Sequence, residues 1–416
     1  MSIKTGIEEI NIYSGSAVLD VFELARARNL DNDRFKNLLM EEKTVPMPYE
    51  DPVSNAINAA KPIIDNMSQA DRDKIDMLIT CTESGIDFGK SISTYVHHYL
   101  ELNRNCRLFE MKNACYSGTA GLQMAINFIL SGVSPDAKVL VVATDISRMT
   151  MVEGGLDGSF AEPSGGSGAV AMLVSNNPKV LQIDVGANGY YGYEVFDTCR
   201  PVPDSEAGDA DLSLLSYLDC CENAFKEYQK RVEGVDYQST FQYLAFHTPF
   251  GGMVKGAHRT MMRKFKKAKP DVIEQDFNQR VNPSLEYCKR VGNIMGATVP
   301  LALASTIDNA DFTTSKRIGV FSYGSGCCSE FYSGVANKNS QQELAKYGFK
   351  NHLDSRYKLS MDEYESLFHV NEKMKFGTRN YQLDVNSLPP AYKKVEGTGK
   401  LIFSEINDYY RKYTWV

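Results

Sequence analysis

Seven short apolar runs, rich in β-branched residues, recur at Met77–Thr80, Leu108–Met111, Val139–Thr144, Ala169–Val174, Val180–Val185, Phe241–Phe246 and Ile318–Tyr323. Runs of this length and polarity read as strands buried on both faces. Stretches with helical spacing lie between several of them. Leu122, Ala125, Ile126, Ile129 and Leu130 fall at i, i+3 and i+4 on a segment that is apolar almost all round, which predicts a core helix. This alternation restricts the chain to an α/β fold, with helices covering a mostly parallel or mixed sheet. At 416 residues the chain exceeds the usual single domain. The segment Gly186–Ala210, rich in Gly, Tyr, Asp and Pro, precedes a long helical stretch, Leu212–Val232. A boundary near residue 180 is expected, giving halves 1–180 and 181–416. Beyond about Asn337 the chain turns polar and tyrosine-rich, and a closing layer of helices and loops is expected.

With 43% hydrophobic and 23% charged residues the composition is that of a globular protein, and a net charge of −7 argues against nucleic acid as a partner. No apolar run approaches the roughly 18 residues of a membrane span. Met1–Asn11 lacks the basic start and apolar core of a signal peptide, so a cytoplasmic protein without membrane contact is expected. The nine cysteines are irregularly spaced, and the adjacent pairs Cys220–Cys221 and Cys327–Cys328 do not form a C-x-x-C pattern. Neither a disulfide framework nor a metal centre is expected.

Polar groups at the ends of apolar strands mark where α/β sheets form their clefts. In FEMKNACYSGTA, Cys115 stands between a strand and a run of small residues that opens a helix. At a helix start, free N–H groups and the dipole favour a nucleophilic thiolate; an inert buried cysteine is the alternative. Glu83, in MLITCTESGIDFG, leaves a strand into a glycine-containing turn, as a general acid/base requires, although a surface carboxylate would read the same way. His247, in FQYLAFHTPFGG, ends a strand; its imidazole could donate to a carbonyl oxygen, exchange a proton with a thiol, or be a satisfied core histidine. Asn293 in RVGNIMGATVP and Ser325 in FSYGSGCCSEF add uncharged donors.

Taken in order, these segments resemble 3-hydroxy-3-methylglutaryl-CoA synthases of the thiolase superfamily. TESG at Glu83, NACYSGTAGL at Cys115, ATDIS around Asp145, EPSGGSGAVAML from Glu162, FDTCRP from Phe196, FHTPF at His247, VGNIMG at Asn293 and YGSG at Ser325 carry the resemblance. PYEDPV near Tyr49, SGIDFGKSISTY from Ser84, LNRNCRLFEMKNACYSG from Leu102 and HTPFGGMVKGAHR from His247 resemble the subgroup that installs β-branches in polyketides. The resemblance implies a thiolase fold: two similar halves in a five-layer αβαβα sandwich, normally a homodimer. It implies Glu83, Cys115 and His247 as catalytic residues and Asn293 and Ser325 as substrate contacts. Gly251 and Gly252 replace the bulkier or basic residues of the primary-metabolism enzymes. That departure points to substrates borne on the phosphopantetheine arms of donor and acceptor carrier proteins, with no metal or organic cofactor.

Acidic carrier proteins call for a cationic rim. KGAHRTMMRKFKKAK, from Lys255 to Lys269, interleaves basic residues with Met261, Met262 and Phe265 at helical spacing, and a second cluster holds Arg26, Arg28, Arg34 and Lys36. Arg34, Arg259 and Arg263 are the expected docking contacts, with Lys255 near the arm's phosphate. The competing readings are primary hydroxymethylglutaryl-CoA synthesis, a ketoacyl-synthase-III-like condensing enzyme, a non-catalytic thiolase-fold subunit and a Cys–His hydrolase.

Overall fold

The computed structural model describes residues 4–152, 155–156, 161–387 and 389–416. Nine strands build the central sheets: β1 Gly6–Tyr13, β2 Ile75–Cys81, β3 Arg107–Met111, β4 Lys138–Ile146, β5 Ser167–Ser175, β6 Leu181–Gly192, β7 Tyr243–Phe246, β8 Lys316–Gly324 and β9 Cys328–Ala336. Their order is β7-β8-β9-β6-β1-β5-β4-β2-β3. β2, β3 and β4 run parallel, as do β7 and β8, while β5, β1, β6 and β9 join by antiparallel pairing. Strands β1–β5 and β6–β9 meet only at one corner, where Gly6 and Ile7 face Gln182 and Leu181.

Successive residues of a strand point to opposite faces, and here both faces are buried. In β4, Val139, Val141 and Ala143 enter one core while Leu140 and Val142 enter another. Five helices separate and cover the sheets: α1 Pro52–Asp65, α2 Ser117–Ser131, α3 Ala210–Arg231, α4 Gly251–Lys266 and α5 Thr298–Asn309. The shared core encloses α2 and α5 between residues of both sheets. α1 packs on the outer face of the first sheet, and α3 and α4 on that of the second. The result is the five-layer αβαβα thiolase fold. Gly118 of α2 allows the tight central layer: a Cβ there would lie 2.1 Å from the Gly296 carbonyl oxygen.

Each of the seven apolar runs lies within or overlaps a strand. β1 and β9 were not expected, because buried carboxylates interrupt their apolar pattern. Glu8 in β1 is neutralised by Lys138 and Lys179, and Glu330 in β9 accepts from Tyr116.

The C-terminal region opens as the expected layer of helices and loops, with helices Lys338–Ala345, Phe349–Ser355 and Met361–Glu372, but ends differently. Tyr381–Gln382, Leu401–Asn407 and Tyr410–Trp415 form a three-stranded antiparallel sheet. It returns to the first half. Asp51 caps α1 by accepting from the backbone N–H groups of Val53 and Ser54, and it also accepts from Arg411 and Tyr413. The tail thus packs against the helix that opens the outer layer of the first sheet.

Candidate active site

Four of the expected residues follow the C-terminal ends of strands: Glu83 after β2, Cys115 after β3, His247 after β7 and Ser325 after β8. Asn293 lies on the turn leading to α5. All five line one cavity of about 740 Å³, whose apolar wall includes Leu38, Leu214, Phe250, Met253 and Met295. The cavity thus draws on both sheets.

Cys115 differs from its expected setting. The first helical residue of α2 is Ser117, two positions later, and Ala114 adopts a left-handed φ of 43°. The loop is gripped by β8: a Cβ on Gly324 would lie 2.7 Å from the Tyr116 nitrogen and 2.8 Å from the Asn113 oxygen. Burial pushes the Cys115 thiol well up, and Glu83, Asp145 and Glu206 push it further, with Arg200 acting against them. Low dielectric and three nearby carboxyls outweigh the helix dipole, so the resting group is a thiol rather than the expected thiolate.

The thiol points at Glu83, with Sγ 3.9 Å from Oε2. The other oxygen, Oε1, accepts from Arg200 Nε at 3.0 Å. The turn carrying Glu83 is held by Asp145 at the end of β4. Asp145 Oδ1 accepts from the backbone of Glu83 and Ser84 and from the hydroxyls of Thr82 and Ser84; Oδ2 accepts from Gly296. Burial and the Glu83 charge raise the Asp145 carboxyl to about 7.

His247 is 1% exposed, and burial lowers its imidazole to about 3, so it is neutral. Its Nδ1 has no hydrogen-bond partner, and its carbonyl is fixed by Tyr217. Asn293 Oδ1 accepts from the Met295 N–H at 3.0 Å and the Thr298 hydroxyl at 2.9 Å, an orientation that leaves its NH2 free to donate into the cavity. Asp197 secures the Ser325 turn by accepting from the Tyr323 hydroxyl and the Gly326 N–H. The site offers a thiol and a carboxylate in contact, facing neutral donors across a partly apolar cavity. That combination suits thioester exchange followed by proton abstraction.

The outer contacts fare differently. Lys255 does not line the cavity: its Nζ pairs with Glu274 at 2.8 Å and lies 5.4 Å from the Phe277 ring centre. Arg259 and Arg263 are exposed on α4, whose opposite face buries Met253, Val254, Ala257, Met261 and Met262. Among the described residues neither arginine has a carboxylate partner. Arg28 is engaged with Glu162 and Glu365, and Lys36 with Asp33. The side chain of Arg34, on the short helix Asn32–Lys36, lies outside the described residues.

Family models for the hydroxymethylglutaryl-coenzyme A synthase N terminal and C terminal regions match residues 2–179 and 257–413. The polyketide biosynthesis 3-hydroxy-3-methylglutaryl-ACP synthase PksG of Bacillus subtilis is 63% identical over 100% of both chains. The chain belongs to the hydroxymethylglutaryl-CoA synthase family. The synthase is 35% identical to a hydroxymethylglutaryl-CoA synthase of Enterococcus faecalis, over 87% of this chain and 91% of the other. It superposes on the crystal structure of the curacin biosynthetic pathway HMG synthase in complex with holo donor-ACP with a TM-score of 0.97, at 63% identity over 99% of this chain and 100% of that one. It is a condensing enzyme of the acyltransferase type.

The charged residues of FDTCRP and ATDIS have no role legible from the sequence alone. Arg200 and Glu206 stand on a hairpin formed by Thr198–Val202 and Ser205–Gly208, and both line the cavity of the synthase. The available signal was an arginine and an acid in a turn-rich segment between strands.

Proposed function

We propose that the protein is a polyketide β-branching HMG synthase acting on carrier-bound substrates. The Glu83–Cys115 contact carries the chemistry of this reading. The Cys115 sulfur attacks the acetyl thioester of a donor carrier protein as Glu83 takes the thiol proton; the proton then passes to the departing phosphopantetheine thiol. The regenerated Glu83 carboxylate removes a proton from the acetyl-Cys115 methyl. The enolate adds to the β-ketone of a β-ketoacyl thioester held on an acceptor carrier, and Glu83 protonates the new alkoxide. Water then hydrolyses the bond to Cys115, freeing an HMG-type branched intermediate on the acceptor. His247 and Asn293 donate hydrogen bonds to the acceptor carbonyl, with Ser325 at the pocket edge. No step requires a metal or organic cofactor.

Carrier proteins as donors follow from the likeness to PksG and to a synthase crystallised with its donor-ACP. The exposed cations Arg259 and Arg263 suit such acidic partners, and Arg34 joins them on sequence grounds. The reading includes a homodimer, a cytoplasmic site of action, and halves 1–180 and 181–416, the first holding Glu83 and Cys115, the second His247, Asn293 and Ser325.

The test compares acetyl-carrier protein with acetyl-CoA. Intact mass should rise by one acetyl group faster from the carrier, and peptide mapping should place the group on Cys115 rather than on Cys199, the other thiol of the cavity. Cys115→Ala should abolish it. A clear preference for acetyl-CoA would return the protein to primary hydroxymethylglutaryl-CoA synthesis.

A further inference from the structure

The geometry points to Arg200, braced by Glu206, as the positioning residue that aims Glu83 at the acetyl-cysteine; this rests on the reading of Glu83 as the general base. Every edge of the guanidinium is engaged. Nε donates to Glu83 Oε1 at 3.0 Å, Nη2 to Glu206 Oε2 at 3.1 Å, and Nη1 to the Pro203 carbonyl at 3.0 Å. A planar group held on three sides cannot swing, so Glu83 Oε1 is fixed and Oε2 is left facing Cys115.

The hairpin carrying Arg200 is itself anchored. Its first strand follows Asp197, which holds the Ser325 turn and whose carbonyl accepts from the Asp209 N–H. Arg200 therefore spans the site, from the Ser325 side to the carboxylate beside Cys115.

Charge supports the same role. Glu83, Asp145 and Glu206 bring three carboxyls to the cysteine, whereas the described residues of the cavity lining include two cations, the exposed Lys112 and the nearly buried Arg200. Without Arg200, the Glu83 carboxylate would lose the guanidinium that pairs with it and stand beside Glu206 and Asp145 with neither a fixed orientation nor a countercharge.

Single-turnover experiments on Arg200→Met, Arg200→Lys and Glu206→Gln would separate positioning from mere structure, with acetylation of Cys115 and condensation timed separately and Tm recorded. Arg200→Met should slow condensation about 10²-fold, the scale of loss when a reacting group is misplaced. Acceptor KM should stay close to wild type. Added methylguanidinium should restore much of the Arg200→Met rate, and Arg200→Lys should fall between Met and wild type. Glu206→Gln, which loosens the brace while keeping Arg200, should slow condensation about 10-fold; this variant decides the matter should Arg200→Met fail to fold. Condensation by Arg200→Met or Glu206→Gln at the wild-type rate, with Glu83→Gln inactive, overturns the positioning role and leaves the general base intact. Undiminished condensation by Glu83→Gln overturns the base itself, and the role of Arg200 with it.

Discussion

Glu83 and Cys115 touch in the resting site, yet the two chemical steps depend on them differently. Glu83→Gln should acetylate Cys115 more slowly, having no carboxylate to take the thiol proton, yet still accumulate the acetyl-enzyme, because condensation should fall about 10²- to 10⁴-fold, the usual worth of a general base. Trapping of acetyl-Cys115 with no branched product is the outcome to look for by mass spectrometry. His247→Ala should slow condensation or raise the acceptor's KM by about 10²- to 10³-fold while slowing acetylation far less. An imidazole neutral down to about pH 3 cannot supply the pH dependence of the rate between pH 5 and 8. Cys115, Glu83 and His247 were legible because each is a polar residue stranded after an apolar strand. The protonation state of Cys115 was not, since it depends on Asp145, Arg200 and Glu206, which are distant in sequence and converge only in the fold. Arg200 was missed for that same reason, since its pair with Glu83 spans 117 positions; Glu206, 6 positions from Arg200, left only an arginine and an acid in a turn-rich segment to read.

At the level of elements, the apolar runs disclosed both-face-buried strands, and the spacing from Leu122 to Leu130 disclosed α2 as a core helix. β9 escaped because it carries Glu330, fully buried beside the start of α2, where Oε2 accepts from the Tyr116 hydroxyl at 2.7 Å. Burial raises this carboxyl from 4.5 to about 7. The folded chain then keeps a proton that the unfolded chain has released across that interval. The stability associated with this group is present in full below pH 4.5 and is lost as pH rises through about 7. Glu330→Gln removes the effect. Relative to wild type, the variant should gain about 1.4 kcal/mol per pH unit between pH 5 and 7. Tm curves of the two proteins should converge or cross over that range; parallel curves would mean that Glu330 titrates like an exposed carboxylate.

For the whole molecule, net charge and local charge oppose each other: the chain carries −7, but α4 turns Arg259 and Arg263 to solvent with no carboxylate partner among the described residues. Rim charges of this kind act on association rate. Reversing both to Glu should slow acetyl transfer from an acidic carrier at low salt. Stopped-flow acetylation should show the deficit shrinking as salt rises from about 0.05 to 0.5 M, where screening shortens from roughly 14 to 4 Å. Charge reversal at Arg34 offers the same comparison for the second cluster. A deficit independent of salt would place the defect elsewhere than in docking.

The cavity's division between the two sheets also governs the enzyme during its own synthesis. A nascent chain that has emerged through β5 carries the nucleophile and its base, but neither Arg200 nor His247, and no β8 to grip the Cys115 loop. The strand that reaches back to Asp51 is translated after both sheets. Ribosome-bound fragments should therefore resist acylation, and the thiol acquires its reactivity only when the second sheet closes over the first.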